Sequence, residues 1–239
     1  MIHRENTITD IANRLNQEHE QGQKLPSVIF ITDQQAIPNP ENVISGLAAG
    51  AAVIFRDYDH PLRAELGQKL AALCREKDIF FLVAGDIALA ENLAAEDLVV
   101  QNLECQNLGT QNLGAKNLSR TGMHLPENMM MKADEIRRAH PLWMITVACH
   151  DLNSVRKASK LPIDAGLISP VFPTHSHALT LTGAQKTHGL RGVQNMVHES
   201  RLPLYGLGGI SSENGHELIG SGLVGLAAIR GFQGVPHQE

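Results

Sequence analysis

Residues 143–168 read WMITVACHDLNSVRKASKLPIDAGLI, and this stretch decides the fold. It begins with an apolar run at 143–147, continues through a helical pattern at 151–160 and ends with a second apolar run at 165–168. Unbroken apolar runs separated by a helix are typical of parallel strands that are buried on both faces. The stretch therefore predicts one strand–helix–strand unit of an α/β protein.

The same alternation extends in both directions along the chain. Further strands are expected at 28–31, 52–55, 79–83, 122–125, 203–206 and 223–226. Helices are expected between the strands at 41–50, 62–77, 87–93, 127–138, 192–200 and 211–221, with a short final helix. Eight such units close a TIM (β/α)8 barrel, whereas an open doubly wound sheet is the alternative. The number of units favours the barrel.

Residues 1–26 precede the first strand and predict an N-terminal helical extension. Thr7 and Asp10 suit the start of a helix, and Pro26 closes the segment. The apolar positions between them have helical spacing: Ile8, Ile11, Ala12 and Leu15. We expect residues 27–239 to form the barrel domain.

Residues 94–121 interrupt the alternation with an apolar residue at every fifth position. The fragment QNLECQNLGTQNLGAKNLS at 101–119 shows this spacing, which fits neither the helix period nor the strand period. It resembles a pentapeptide repeat, which forms a β-solenoid when enough copies are present, but it is too short for a solenoid domain. We interpret it as an insertion beside the fourth strand, either a duplicated polar loop or a partial β-helix coil.

Composition argues against several classes of protein, among them nucleic-acid binders and membrane proteins. The chain has 239 residues, a net charge of −5 and 4% aromatic residues, which argues against a nucleic-acid or anionic-membrane binder. Its three cysteines are widely spaced, which disfavours both a disulfide framework and a zinc ribbon. No apolar run approaches the length of about 18 residues that a membrane helix requires. We expect a soluble, cytoplasmic protein.

In a barrel, the residues that directly follow each strand form the active face. Two of these stretches favour anion binding, YGLGGISSEN at 205–214 and GLAAIRGF at 225–232. Gly208 and Gly209 permit close approach of the backbone, and the helix predicted after them offers free N–H groups. Arg230 adds a positive charge. Loops after the seventh and eighth strands commonly bind phosphate in barrels, so we predict a phosphate site here.

The other strand ends offer hydrogen-bonding groups but no familiar catalytic pattern. The loop SPVFPTHSH at 169–177 is rich in short donors and suits a loop that folds over an oxyanion. Adjacent strand-end residues point in opposite directions, so Cys149 and His150 are not expected to form a thiol–imidazole pair. Four histidines near the rim match no metal-ligand pattern: His124, His150, His175 and His177.

Taken in order, these motifs resemble the thiamine phosphate synthases and their sister group, the TenI-like thiazole tautomerases. The resemblance rests on FITD, VIFRDYD, FLVAGDIALA, GMHLPE, TVACHDLNSVRKA, ISPVFPTHSH, LYGLGGISSEN and GLAAIRGF. It covers residues 27–233 apart from the five-residue repeats. It implies a barrel enzyme of thiamine biosynthesis that joins hydroxymethylpyrimidine diphosphate to thiazole phosphate, with Mg²⁺ on the diphosphate. It also implies a homodimer.

The resemblance further implies roles for individual residues. Arg56 and His177 are expected to face the leaving diphosphate, and His150 to orient the substrate. Asp86 and Glu127 are the candidate metal ligands. The remaining candidates would bind substrate and phosphate: Thr174, Ser176, Gly208, Gly209, Ala228 and Arg230.

The chain departs from the family pattern on the diphosphate side. Tyr58 and His177 stand where the family has lysines, which removes permanent charge because histidine is mostly neutral at pH 7. A thiazole tautomerase is therefore one alternative, since it needs neither diphosphate nor metal, with His150 or His177 as acid or base. The other alternative is a non-catalytic protein that binds a phosphorylated ligand and contacts a partner through the repeat.

Overall fold

The computed structural model describes residues 7–96, 120–174 and 186–232. Most of the five-residue repeat lies outside these ranges, so its interpretation stays a prediction. Arg120, the first described residue after the repeat, forms an ion pair of 2.7 Å with Asp78. Both residues lie just before barrel strands, at the N-terminal end of the barrel.

Eight parallel strands form a closed barrel in chain order, which confirms the predicted fold and excludes the open sheet. The barrel closes where Phe30 of the first strand lies opposite Ala228 of the last. The strands are β1 (Val28–Ile31), β2 (Ala52–Phe55), β3 (Phe80–Ala84), β4 (Thr121–Leu125), β5 (Ile145–Cys149), β6 (Ala165–Ile168), β7 (Leu204–Leu207) and β8 (Gly225–Ala228).

Helices follow most strands and cover the outside of the barrel. They are α1 (Ile8–Glu18), α2 (Pro40–Gly46), α3 (Arg63–Glu76), α4 (87–96), α5 (Ala133–Ala139), α6 (Leu152–Ala158) and α7 (Gly189–Glu199). Short 3₁₀ segments occupy Gly22–Lys24, Glu127–Lys132 and Gly215–Leu218. Among the described residues, no helix is long and apolar enough to cross a membrane.

Two predicted helices near the C-terminus differ from the structure. The helix predicted at 211–221 is only the 3₁₀ segment Gly215–Leu218, because the Asn214 side chain binds the backbone before it and Gly220 and Gly222 have left-handed backbones. Residues 229–232, where the predicted final helix would begin, form a bend and a turn, and the rest of that prediction lies outside the described residues.

Helix α1 lies against β8 and β1, where the helix after the eighth strand of a barrel would pack. Thr7 and Asp10 form the capping box that starts it, with the Asp10 N–H donating to Thr7 Oγ1 at 3.1 Å. Asn16 Nδ2 donates to the carbonyls of Leu25 (3.1 Å) and Val224 (3.0 Å). These bonds fix the helix to the segments that lead into β1 and β8. The boundary at residue 26 stays a prediction.

The strands are buried on both faces, as their apolar runs predict. One set of side chains fills the barrel interior, including Ile29, Ile54, Leu82 and Tyr205. The alternate set packs between the strands and the helices, including Phe30 and Phe55. The Tyr205 hydroxyl donates to the carbonyl of Pro26 at 2.6 Å, which satisfies the one polar atom of this buried ring.

Candidate active site

A cleft of about 630 Å³ opens at the C-terminal mouth of the barrel. Its walls bring together six of the residues predicted to form the site: Arg56, Thr174, Gly208, Gly209, Ala228 and Arg230. A larger cavity of about 850 Å³ lies at the opposite end, between residues that precede the strands, such as Ser27 and Arg120. We assign the site to the mouth, because functional groups of a barrel follow its strands.

The turn after β7 depends on two glycines with left-handed backbones. Gly208 has φ 93° and Gly209 has φ 70°, a region that residues with a Cβ rarely adopt. A Cβ on Gly209 would lie 2.4 Å from the carbonyl oxygen of Pro173 and 2.5 Å from that of Phe172. The absent side chain of Gly209 thus makes room for the loop after β6, and not for a ligand as the sequence suggested.

The loop after β6 is joined to this turn by the backbone. The Phe172 N–H donates to the carbonyl of Gly208 at 3.0 Å, and the Val171 N–H donates to that of Leu207 at 2.9 Å. Thr174 follows two residues later and reaches the same cleft. Two of the predicted binding elements therefore form one wall of the site.

Asn214 holds the β7 turn in its conformation, a role that the sequence analysis missed. Its Nδ2 donates to the carbonyl of Gly209 at 2.8 Å, and its Oδ1 accepts the N–H of Ser211 at 2.9 Å. One amide side chain thus bridges both ends of the turn. A local hint was present, because asparagine commonly bonds to backbone groups a few residues away.

Helix α1 supports the turns after both β7 and β8. A Cβ on Gly215, after the β7 turn, would lie 3.1 Å from Ile11 Cδ1. A Cβ on Gly231, after β8, would lie 2.9 Å from Ile8 Cδ1. Ile8 and Ile11 are both buried. The N-terminal helix therefore sets the positions of the two turns that line the predicted phosphate site.

Arg56 enters the cleft from the end of β2. Its Nη2 donates to Asp33 Oδ2 at 2.8 Å, and its backbone N–H donates to Thr32 Oγ1 at 3.0 Å. The Arg56 side chain is 34% exposed and that of Asp33 is 27% exposed. The predicted cation is thus at the mouth, but an aspartate already balances its charge.

Arg63 at the start of α3 is a second mouth arginine that the sequence analysis missed. Its Nη1 donates to Asp86 Oδ2 at 2.7 Å, and its Nη2 and Nε donate to the carbonyls of Ala84 (2.9 Å) and Asp57 (3.1 Å). The guanidinium also lies within 5.6 Å of the ring centroid of Tyr58. Only 14% of the side chain is exposed.

The two candidate metal ligands do not fit a magnesium site in the described residues. Asp86 Oδ2 accepts the bond from Arg63, and Asp86 Oδ1 accepts the Leu89 N–H at 3.0 Å at the start of α4. Glu127 begins the 3₁₀ segment after β4. Within 7–96, 120–174 and 186–232, no three His, Cys, Asp or Glu side chains are placed to hold a metal ion.

Histidines approach Ser169 at the end of β6 from two sides. His150 Nδ1 lies 3.3 Å from the Ser169 carbonyl oxygen, and His188 Nε2 lies 3.2 Å from the same oxygen. A carbonyl only accepts, so His188 Nε2 carries the hydrogen of its bond. His150 Nδ1 also lies 3.2 Å from the Ser169 hydroxyl oxygen, which can either donate to it or accept from it. His188 was not among the predicted residues; burial lowers its pKa.

Two other ionisable groups near the rim are held neutral. His124 is buried in β4, with Nδ1 2.9 Å from Thr146 Oγ1. Burial lowers the pKa of His124 to about 3. Burial also raises the pKa of the Cys149 thiol to about 12, so Cys149 is not a nucleophile at neutral pH. His150 is the exposed member of this group.

Three predicted residues, His175, Ser176 and His177, lie outside the described residues. The roles given to Ser176 and His177 therefore stay predictions.

Comparison with known proteins agrees with this geometry. A family model described as thiamine monophosphate synthase matches residues 112–232, a region that holds β4 to β8 and both turns. The thiamine-phosphate synthase of Pyrococcus furiosus is 28% identical over 211 residues, covering 85% of this chain and 85% of that protein. The thiamine-phosphate synthase of Archaeoglobus fulgidus is 26% identical over 219 residues, covering 89% and 88%.

A solved structure gives the same result. The thiamine phosphate pyrophosphorylase of Pyrococcus furiosus superimposes with a TM-score of 0.62 at 25% identity, over 87% of this chain and 86% of that one.

Proposed function

This chain belongs to the thiamine monophosphate synthase family, and from that premise we propose that it is a transferase. It would join hydroxymethylpyrimidine diphosphate to thiazole phosphate. In this reaction the bond from the pyrimidine methylene carbon to the diphosphate oxygen breaks, and a bond from that carbon to the thiazole nitrogen forms. The products are thiamine phosphate and diphosphate. The turns after β7 and β8 carry the proposal, because they lie together in one cleft.

The thiazole phosphate would bind between these two turns. Arg230 contributes a positive charge, and the backbone of residues 208–210 and 228–231 contributes N–H groups. Thr174 would contact the ligand from the loop after β6, which forms one wall with the β7 turn. Because α1 and Asn214 hold the turns in place, little conformational entropy would be lost on binding.

Arg56 would face the leaving diphosphate. Negative charge develops on this group as its bond to carbon breaks, and a nearby guanidinium stabilises that charge. Its partner Asp33 keeps Arg56 oriented into the cleft but weakens its field. The effect of Arg56 should therefore fall on the rate of transfer more than on thiazole phosphate binding.

The test is formation of thiamine phosphate from both substrates by the purified full chain. Arg56→Met should lower the rate by about two orders of magnitude, the low end of the loss for one electrostatic group, because Asp33 weakens the field of Arg56. Arg156→Met is the matched control, since Arg156 pairs with Glu199 on the outside of the barrel. No product from folded protein would refute the proposal, as would equal rates in the two variants.

A thiazole tautomerase is the second candidate, favoured by the exposed position of His150 after β5, where Ser169 orients its ring through Nδ1. When Nδ1 donates to the Ser169 carbonyl, His150 Nε2 can take a proton from a bound thiazole and return it elsewhere on the ring. Isomerisation of a thiazole phosphate in the presence of a metal chelator tests this candidate. Loss of the isomerisation in His150→Gln, with no synthase activity in the parent chain, would favour it.

Two structural expectations accompany the proposal. Residues 1–26 would act as a helical extension of the barrel domain at 27–239, and the protein would form a homodimer as the family resemblance implies. Light scattering on the purified chain measures the molar mass, and a monomer at micromolar concentration would contradict the dimer.

A further inference from the structure

The β1–β3 side of the mouth, formed by the residues that follow β1, β2 and β3, contains the guanidinium group of Arg63. Arg63 donates to Asp86 Oδ2 and to two backbone carbonyls, so each of its three nitrogens has an acceptor. The ring of Phe55 lies 5.1 Å from its guanidinium carbon, and the ring of Tyr58 lies 5.6 Å away. The guanidinium is therefore fixed by five separate contacts.

Both carboxylate oxygens of Asp86 already accept a hydrogen bond. One accepts from Arg63, and the other accepts the Leu89 N–H that starts α4. A magnesium ion on the remaining lone pairs would share this carboxylate with the fixed guanidinium of Arg63, and the two positive charges would repel each other. Displacing Arg63 would instead leave its nearly buried charge without its partner.

The carboxylate that follows β1 is engaged in the same way as Asp86. Asp33, after β1, binds Arg56. The carboxylates that follow β1 and β3 thus each hold an arginine in a neutral ion pair. Asp57, after β2, differs, since its Oδ1 accepts the Gln34 N–H at 2.7 Å and its buried Oδ2 has no hydrogen-bond partner among the described residues.

We propose that Arg63 takes the place of a divalent metal ion at Asp86, and that the mouth binds phosphate and diphosphate groups without a metal on that residue. That the ligand carries phosphate or diphosphate groups rests on the proposed function. That no metal ion binds Asp86 rests on the Arg63–Asp86 contacts alone.

The experiment measures Mn²⁺ binding to the full-length protein by electron paramagnetic resonance, with and without inorganic pyrophosphate. Wild type and Asp86→Asn should bind Mn²⁺ equally, within about twofold, in both conditions. Arg63→Met keeps an apolar stem between the two rings but releases the Asp86 carboxylate. It should bind Mn²⁺ at least about tenfold tighter than Arg63→Met/Asp86→Asn.

Two results would overturn the proposal. One is Mn²⁺ binding by wild type that is weakened about tenfold in Asp86→Asn. The other is a folded Arg63→Met that binds Mn²⁺ no better than the double variant. If Arg63→Met fails to fold, the comparison of wild type with Asp86→Asn still decides.

This experiment separates the two proposals. Equal Mn²⁺ binding by wild type and Asp86→Asn, together with a protein that makes no thiamine phosphate, would refute the proposed function and leave the role of Arg63 standing. Thiamine phosphate formed only with Mg²⁺, and lost in Asp86→Asn, would support the function and refute the role of Arg63.

Discussion

A methyl group on Gly209 tests the packing of the β6 loop on the β7 turn. In Gly209→Ala the new Cβ would lie 2.4 Å from the Pro173 carbonyl oxygen at a φ of 70°. The left-handed backbone costs about 1–2 kcal/mol for a residue with a Cβ. Forcing the contacting loop to move adds about 1–3 kcal/mol. The free energy of unfolding should therefore fall by about 2–5 kcal/mol.

Gly50→Ala is the matched control for this prediction. Gly50 has φ 82°, but no atom lies within 4 Å of a Cβ placed there, so only the backbone cost of about 1–2 kcal/mol applies. Urea unfolding followed by circular dichroism gives both free energies. Titration calorimetry with inorganic phosphate should show weaker binding in Gly209→Ala alone. Equal losses of stability in the two variants, with unchanged phosphate binding, would refute the packing argument.

Three further predictions concern Asn214, helix α1 and the buried histidine of β4. Asn214→Ala removes both bonds across the β7 turn and should weaken phosphate binding, with a stability loss of about 1–3 kcal/mol; calorimetry that shows unchanged affinity would contradict this. Ile11→Ala should cost about 2–5 kcal/mol and weaken phosphate binding, whereas Ile136→Ala on α5 should cost the same with normal binding. Burial lowers the pKa of His124 from 6.5 to about 3. The neutral His124 therefore does not reduce the free energy of unfolding above pH 6.5, but that free energy should decline as the pH falls from 6.5 towards 3. His124→Gln should flatten that decline in urea unfolding at several pH values.

Much of the barrel could be predicted because its strands are short apolar runs. The bounds of β1, β2 and β6 agree with the prediction to the residue. Polar residues flank the runs of β1 and β6 on both sides, and Arg56 ends the run of β2. β8 begins two residues later than predicted, at Gly225. The apolar run from Leu223 to Ile229 is longer than the strand, so periodicity alone cannot place the hydrogen-bonded part.

The long-range contacts of the site could not be predicted, because the partners are distant in the chain. Arg63 and Asp86 are 23 residues apart, and His188 and Ser169 are 19 apart. A lone arginine at the start of a helix carries no local sign of which carboxylate it will meet. The six cleft residues were predictable for the opposite reason, since in a barrel every strand ends at the same face.

Because the arginines on the β1–β3 side of the mouth are paired with aspartates, phosphate binding depends mainly on the turns after β7 and β8. Arg56 and Arg63 are each paired with an aspartate, and His124 is neutral at any pH above about 3. The β1–β3 side therefore offers an anion little net attraction. The other side is lined by Arg230 and by the backbone N–H groups of the turns, and backbone dipoles act only at short range because they carry no net charge. Affinity for a phosphate should thus depend on how accurately Asn214 and α1 place those turns.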